Sequence, residues 1–123
     1  MTEARRQAAE KRGRRSETFA ALLLRLKGYR ILGRRVRTHA GEIDLIARAP
    51  SGLVCFIEVK ARADEALAVD SVGLRQQGRI ARAAALYLAS RPELARKGAR
   101  FDVVTVSPRS FPRHLRDAWR PGD

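Results

Sequence analysis

GEIDLIARAPSGLVCFIEVKAR, residues 41–62, is the stretch on which the reading of this chain turns. Two runs of alternating character, Glu42 to Ala47 and Leu53 to Arg62, flank the turn signal Pro50-Ser51-Gly52 and predict a β-hairpin. Side chains two apart on a strand share a face, so Glu42 is expected beside Asp44, and Glu58 beside Lys60. Ile43, Leu45, Ile57 and Val59 are expected to point the other way, into a core. Pairing of the strands would then collect three carboxylates and one ammonium on one patch of sheet. The chain has 13 acidic residues against 26 basic ones, so a gathering of negative charge stands out in it.

Outward from the hairpin, the 123 residues correspond to one domain, long enough to bury roughly two thirds of the unfolded surface around a single core. A net charge of +13 and a pI near 11.5 create a field that attracts polyanions, nucleic acid first and an acidic membrane surface second. The competing reading is that the arginines are ordinary solvated faces. The single cysteine, Cys55, allows no internal disulfide and falls among the inward positions of the second strand, as a small buried hydrophobe. No apolar run nears the ~20 residues of a membrane span, and the first 15 residues lack the apolar region of a secretory signal. The expectation is a soluble, cytoplasmic protein.

Residues 1–15 carry six basic side chains and read as a flexible basic arm or an extension of the next helix, ahead of one α/β domain over 16–120. From Ser16, a candidate cap, Phe19, Leu22, Leu23 and Leu26 recur at helical spacing and predict a core-facing stripe that ends at Gly28. Glu17 lies off that stripe, in line with Ala20, Ala21 and Leu24. Tyr29 to Val36 predicts a first strand. After a loop with three acids at 64–70, Asp70 or Ser71 would cap a second helix reaching about Ser90, with Arg75, Arg79 and Arg82 on one side. Arg100 to Val106 reads as a buried strand in which Asp102 makes a structural hydrogen bond, and Phe111 to Trp119 as an edge strand that tolerates Pro112. The order predicts an α/β fold with a mixed sheet flanked by helices.

Asp44 and Glu58 on neighbouring strands are the oxygen donors that a hard divalent cation such as Mg²⁺ takes from protein, usually one or two carboxylates with waters completing the shell. Lys60 beside them would stabilise charge on a phosphate or orient an attacking water. The bland alternative is a cross-strand salt bridge contributing ~0.2 to 1 kcal/mol. His39 and His114 stand apart from other soft ligands, which argues against zinc.

The motifs Gly13-x3-Glu17-x2-Ala20, Gly28-Tyr29, Gly41-Glu42-Ile43-Asp44-Leu45-Ile46, Phe56-Ile57-Glu58-Val59-Lys60-x-Arg62, Gln76-x2-Arg79-Ile80 and Arg100-Phe101-Asp102-Val103-Val104 resemble, in order and spacing, the bacterial YraN family. That family looks like a restriction-endonuclease-like domain, similar to archaeal Holliday junction resolvases. The resemblance covers roughly residues 13 to 106. It implies a PD-(D/E)xK site in which Asp44 and Glu58 hold Mg²⁺ or Mn²⁺ and Lys60 is the catalytic lysine. Glu17 would be the extra acid brought to the metal by the first helix, and Gln76 the polar helix residue near the site. Arg62, Arg75, Arg79 and Arg82 would contact nucleic acid, with DNA, branched DNA included, as the substrate. A homodimer follows by analogy with resolvases, whose two symmetric cuts need two sites. Two departures stand out: Ile43 replaces the proline of the superfamily name, and Arg75 occupies a position where the family commonly has lysine. Domains of this fold also serve as non-catalytic modules, so a nucleic-acid-binding protein with a vestigial site is the second reading.

Overall fold

Thr2 opens the first helix: its hydroxyl accepts the Arg5 N–H at 3.2 Å, and α1 runs Glu3–Leu26. The computed structural model describes residues 2–61, 72–108 and 110–122. The basic segment that reads as an arm is therefore the first half of a 24-residue helix, and Ser16 lies inside it rather than capping it. Ala, Arg, Gln, Glu and Lys fill this half, all favourable helix residues, and Gly13 alone is a weak former.

The core-facing side of α1 differs from the expected stripe. Ala20, Ala21 and Leu24 are fully buried, whereas Phe19 and Leu22 are about half exposed and Leu26 is 84% exposed. The reason is distance. Two alanines let the helix backbone come close to the sheet, and the same face brings Glu17 inward, 6% exposed. A face led by Phe19 would hold the helix farther off and turn Glu17 to water. Ala21→Leu is expected to cost about 1–3 kcal/mol through overpacking, and Leu26→Lys to stay within about 0.5 kcal/mol of the parent protein. Urea denaturation of the two variants measures this; the reverse ranking would contradict the orientation of the helix.

Five strands follow: β1 (Arg30–Thr38), β2 (Gly41–Arg48), β3 (Val54–Lys60), β4 (Ala99–Ser107) and β5 (Ser110–Trp119). They lie side by side in chain order, antiparallel throughout except that β3 and β4 run parallel. A parallel pair requires a crossover, and α2 (Leu74–Ala89) with the one-turn α3 (Pro92–Ala95) supplies it. The cap position of α2 is Gly73. The acidic loop at 64–70, the proposed caps Asp70 and Ser71, and Arg62 all lie outside the described residues.

The sheet is thus the middle of three layers. One face buries Leu45, Ala47, Cys55, Ile57 and Val104 under α1; the other buries Ile43, Ile46, Phe56 and Val103 under Ile80, Ala83 and Ala84 of α2. This is the mixed sheet flanked by helices that the sequence predicts, consistent with a restriction-endonuclease-like fold. Ile43 departs from the expected facing: it lies on the opposite face from Leu45 although only two residues away. The alternation breaks at Asp44, between the two. Among the described residues, no helix is long and apolar enough to cross a membrane.

Asp102, fully buried in β4, accepts hydrogen bonds from Arg100 Nε and Nη2, each at 2.8 Å, from the Asp117 N–H at 2.9 Å, and pairs with His114 Nε2 at 2.7 Å. Lys27 Nζ lies 2.6 Å from His114 Nδ1, so Nδ1 is the acceptor and Nε2 carries the proton given to Asp102. Arg100 also reaches the Tyr29 hydroxyl at 2.8 Å. The predicted structural hydrogen bond of Asp102 is in fact a network joining β4, β5 and the end of α1. His114, expected to be an isolated residue, is part of it. Cys55, buried nearby, has its thiol pushed up to about 12, first by burial and then by the charge of Asp102. It is an unreactive core residue.

Candidate metal centre

Backbone pairing between β2 and β3 stops at Leu45–Ile57. At the next residue the Asp44 carboxylate enters the gap: its Oδ2 accepts the Val59 N–H at 2.8 Å. An aspartate has thus taken the place of a strand carbonyl, which explains why the inward–outward alternation of β2 breaks there. The result is that Asp44 comes close enough to Glu58 for its charge to act directly on the Glu58 carboxyl.

Glu58 is buried, 5% exposed. Its Oε2 is 3.4 Å from Gln76 Nε2 on α2, a long contact, and its Oε1 is buried with no hydrogen-bond partner. Burial above all, then the charge of Asp44 and the hydrogen bond with it, push the Glu58 carboxyl up to about 9, while the nearby Lys60 ammonium pulls the other way. A carboxylate charge this close in a poorly solvated site favours the protonated form of Glu58. Lys60 follows two residues later, half-buried, on the Glu58 side of β3.

On the α1 side, Asp44 opens into a cavity of about 230 Å³ whose walls include Glu17, Arg35, Glu42, Val59 and Ala61. Arg35 Nε holds Glu17 Oε2 at 2.5 Å. The backbone of Arg35 is in the left-handed region, φ 49°, a conformation that costs a non-glycine residue of order 1–3 kcal/mol. Arg35 sits opposite Asp44 in the β1–β2 ladder, between the pairs Arg34–Leu45 and Val36–Ile43. Its unusual turn directs the guanidinium toward α1 and Glu17. Nothing in the residue pattern predicts a positive φ at an arginine, so this wall of the site was invisible in the sequence. Glu42 pairs with Arg37 at 3.4 Å at the more exposed edge.

Of the residues expected to form a site, Asp44, Glu58, Lys60 and Gln76 are brought together. Glu17 faces the same cavity as Asp44 but is tied to Arg35, and among the described residues no three acids, histidines or cysteines surround one ion position. Glu17 thus forms a wall of the cavity that Asp44 opens into, held there by Arg35. Arg75, Arg79 and Arg82 are exposed on α2, with Arg79 next to Gly41 at the β1–β2 turn.

A divalent cation fits the donor set at Asp44 and Glu58. Two hard carboxylates are what Mg²⁺ or Mn²⁺ ordinarily takes from protein, and the Glu58 oxygen without a partner is the kind of buried atom a cation satisfies.

The family model described as Uncharacterised protein family UPF0102 matches residues 16–106, from the middle of α1 through β4, and includes all five candidate site residues from Glu17 to Gln76. The chain belongs to UPF0102. This is the YraN family that its motifs resemble. Among its UPF0102 relatives, one from Maricaulis maris is 56% identical over 123 residues, covering 100% of this chain and 95% of the relative. Another, from Parvibaculum lavamentivorans, is 53% identical over 93% of this chain and 85% of its own length. A third, from Agrobacterium fabrum, is 53% identical over 94% of this chain and 93% of its own length. The UPF0102 match ends at Val106, near the end of β4, and the Maricaulis relative aligns across β5 as well.

Proposed function

We propose that this UPF0102 protein is a divalent-metal-dependent endonuclease that hydrolyses phosphodiester bonds in DNA. One observation carries the reading: the Asp44 and Glu58 carboxyls meet where β2 and β3 part, next to Lys60, with one Glu58 oxygen buried and unpartnered. Mg²⁺ or Mn²⁺ bound there would polarise the phosphodiester and lower the pKa of an attacking water. The residues of the chain divide the remaining tasks. Asp44, anchored by the Val59 N–H, presents its second oxygen at a fixed position. Gln76 steadies Glu58 from the α2 side, and Lys60 offsets the charge that gathers on the phosphate as the bond breaks. The net charge of +13 and the exposed arginines of α2 supply sequence-independent attraction to the sugar-phosphate backbone.

Asp44→Ala, Glu58→Ala and Lys60→Ala are each expected to lower Mn²⁺-dependent cleavage of linear, flapped and branched DNA by about a hundredfold to a thousandfold. Their salt-dependent DNA binding should persist. Cleavage that survives in all three purified variants would place the activity elsewhere. Wild-type protein that binds DNA tightly, never cuts it and takes up no Mn²⁺ would establish the non-catalytic binding module instead.

A further inference from the structure

A second groove, about 740 Å³ in volume, lies beside the acidic cavity and shares two of its walls, Ser16 and Ala61. Phe19, Val106, Phe111 and Pro112 line it. Phe19 is 52% exposed and Phe111, at the start of β5, is 90% exposed. Arg15 stands in the same wall, exposed to water. These are large apolar rings left in solvent on a strongly charged molecule.

We infer that this groove is a stacking subsite for the base of an unpaired nucleotide on the strand that crosses Asp44 and Glu58. The inference rests on the proposed nuclease reading and extends it to a substrate class: DNA with a single-stranded or flapped segment next to the cut. Continuity is the first support, because a strand whose phosphate lies at Asp44 passes the Ser16 and Ala61 walls directly into the groove. Chemistry is the second. Exposed aromatic rings next to an arginine, on a protein of charge +13, match a nucleotide's flat base and anionic backbone together. Charge also disfavours a second copy of the chain as occupant, since two bodies of +13 repel. Stacking on an aromatic side chain contributes ~1–3 kcal/mol per base by alanine substitution and is indifferent to sequence.

The test uses the full chain, oligo(dT) and a blunt duplex, with binding measured without divalent metal so that it is independent of the acid pair. Phe111→Ala is expected to weaken oligo(dT) binding about tenfold and duplex binding far less. The exposure of Phe111 leaves folding unaffected. In Phe111→Trp the new indole should be quenched by oligo(dT), over the background of the buried Trp119. Unchanged oligo(dT) affinity in Phe111→Ala and no quenching in Phe111→Trp overturn the subsite, and wild-type cleavage in Mn²⁺ would leave the nuclease reading standing. Quenching without any wild-type cleavage sinks the nuclease reading while the stacking groove remains. A wild-type dimer that Phe111→Ala converts to monomer, with oligo(dT) affinity unchanged, makes the groove a self-interface and overturns the inference.

Discussion

Glu58→Gln is expected to make the metal-free protein more stable near neutral pH while removing its hold on a divalent cation. The folded-state pKa of Glu58 is raised, so its contribution to stability is fully present below about 4.5, the ordinary value, and is lost as pH rises toward about 9. At pH 7 to 8 the metal-free fold thus retains a proton that the unfolded chain would release, and this costs stability. Glutamine keeps the shape, needs no proton, and can donate to Asp44. A gain of about 1–2 kcal/mol is expected, and the stability of the variant should vary less between pH 5 and 9 than that of the parent. Divalent metal reverses the ranking: at a hundredfold excess over its dissociation constant, Mn²⁺ should stabilise the parent by about 2.7 kcal/mol and the variant by much less. Thermal melts at several pH values, with and without Mn²⁺, read all three effects. A variant less stable than the parent in the absence of metal would mean that the carboxylates are not crowded.

Asp102→Ala is expected to be among the most damaging single changes in the chain, at about 3–5 kcal/mol, because it takes a fully buried acceptor away from Arg100, His114 and the Asp117 N–H at once. The same network sets an acid limit. Burial alone would raise the Asp102 pKa, but hydrogen bonds from His114, Arg100 and the Asp117 N–H outweigh it and hold the carboxyl at about 2. A depressed folded-state pKa gives stability that is present above the ordinary value of 3.8 and lost as pH falls through that value toward about 2, roughly 2 kcal/mol in all. Asp102→Asn should lose that acid limb of the stability curve while keeping most of the packing. Urea midpoints from pH 2 to 7 measure both. An Asp102→Ala cost below about 1 kcal/mol would show that the network is dispensable.

The hairpin was legible because strand alternation and a Pro-Ser-Gly turn are local signals, and local signals are what a sequence displays. The acid pair was legible for the same reason: residues at fixed offsets on adjacent strands must lie close. Three features were not. The buried face of α1 was hidden because large apolar side chains usually mark the core, whereas here alanines do, so that the helix can lie close and carry Glu17 inward. The break at Asp44 comes from a side chain replacing a backbone acceptor, and the left-handed Arg35 from the strand bending opposite it; neither has a compositional trace. His114 looked solitary because its partners, Asp102 and Lys27, are 12 and 87 residues away and meet it only through tertiary packing.

Whether Asp44 and Glu58 share one cation decides between a nuclease and a charged binding domain. Anomalous scattering from crystals soaked in Mn²⁺ tests it directly. The predicted result is a single strong peak about 2.1 Å from an oxygen of each carboxylate, absent in Glu58→Gln. A peak bound elsewhere, or none between these two residues at saturating Mn²⁺, would show that the pair holds no shared cation.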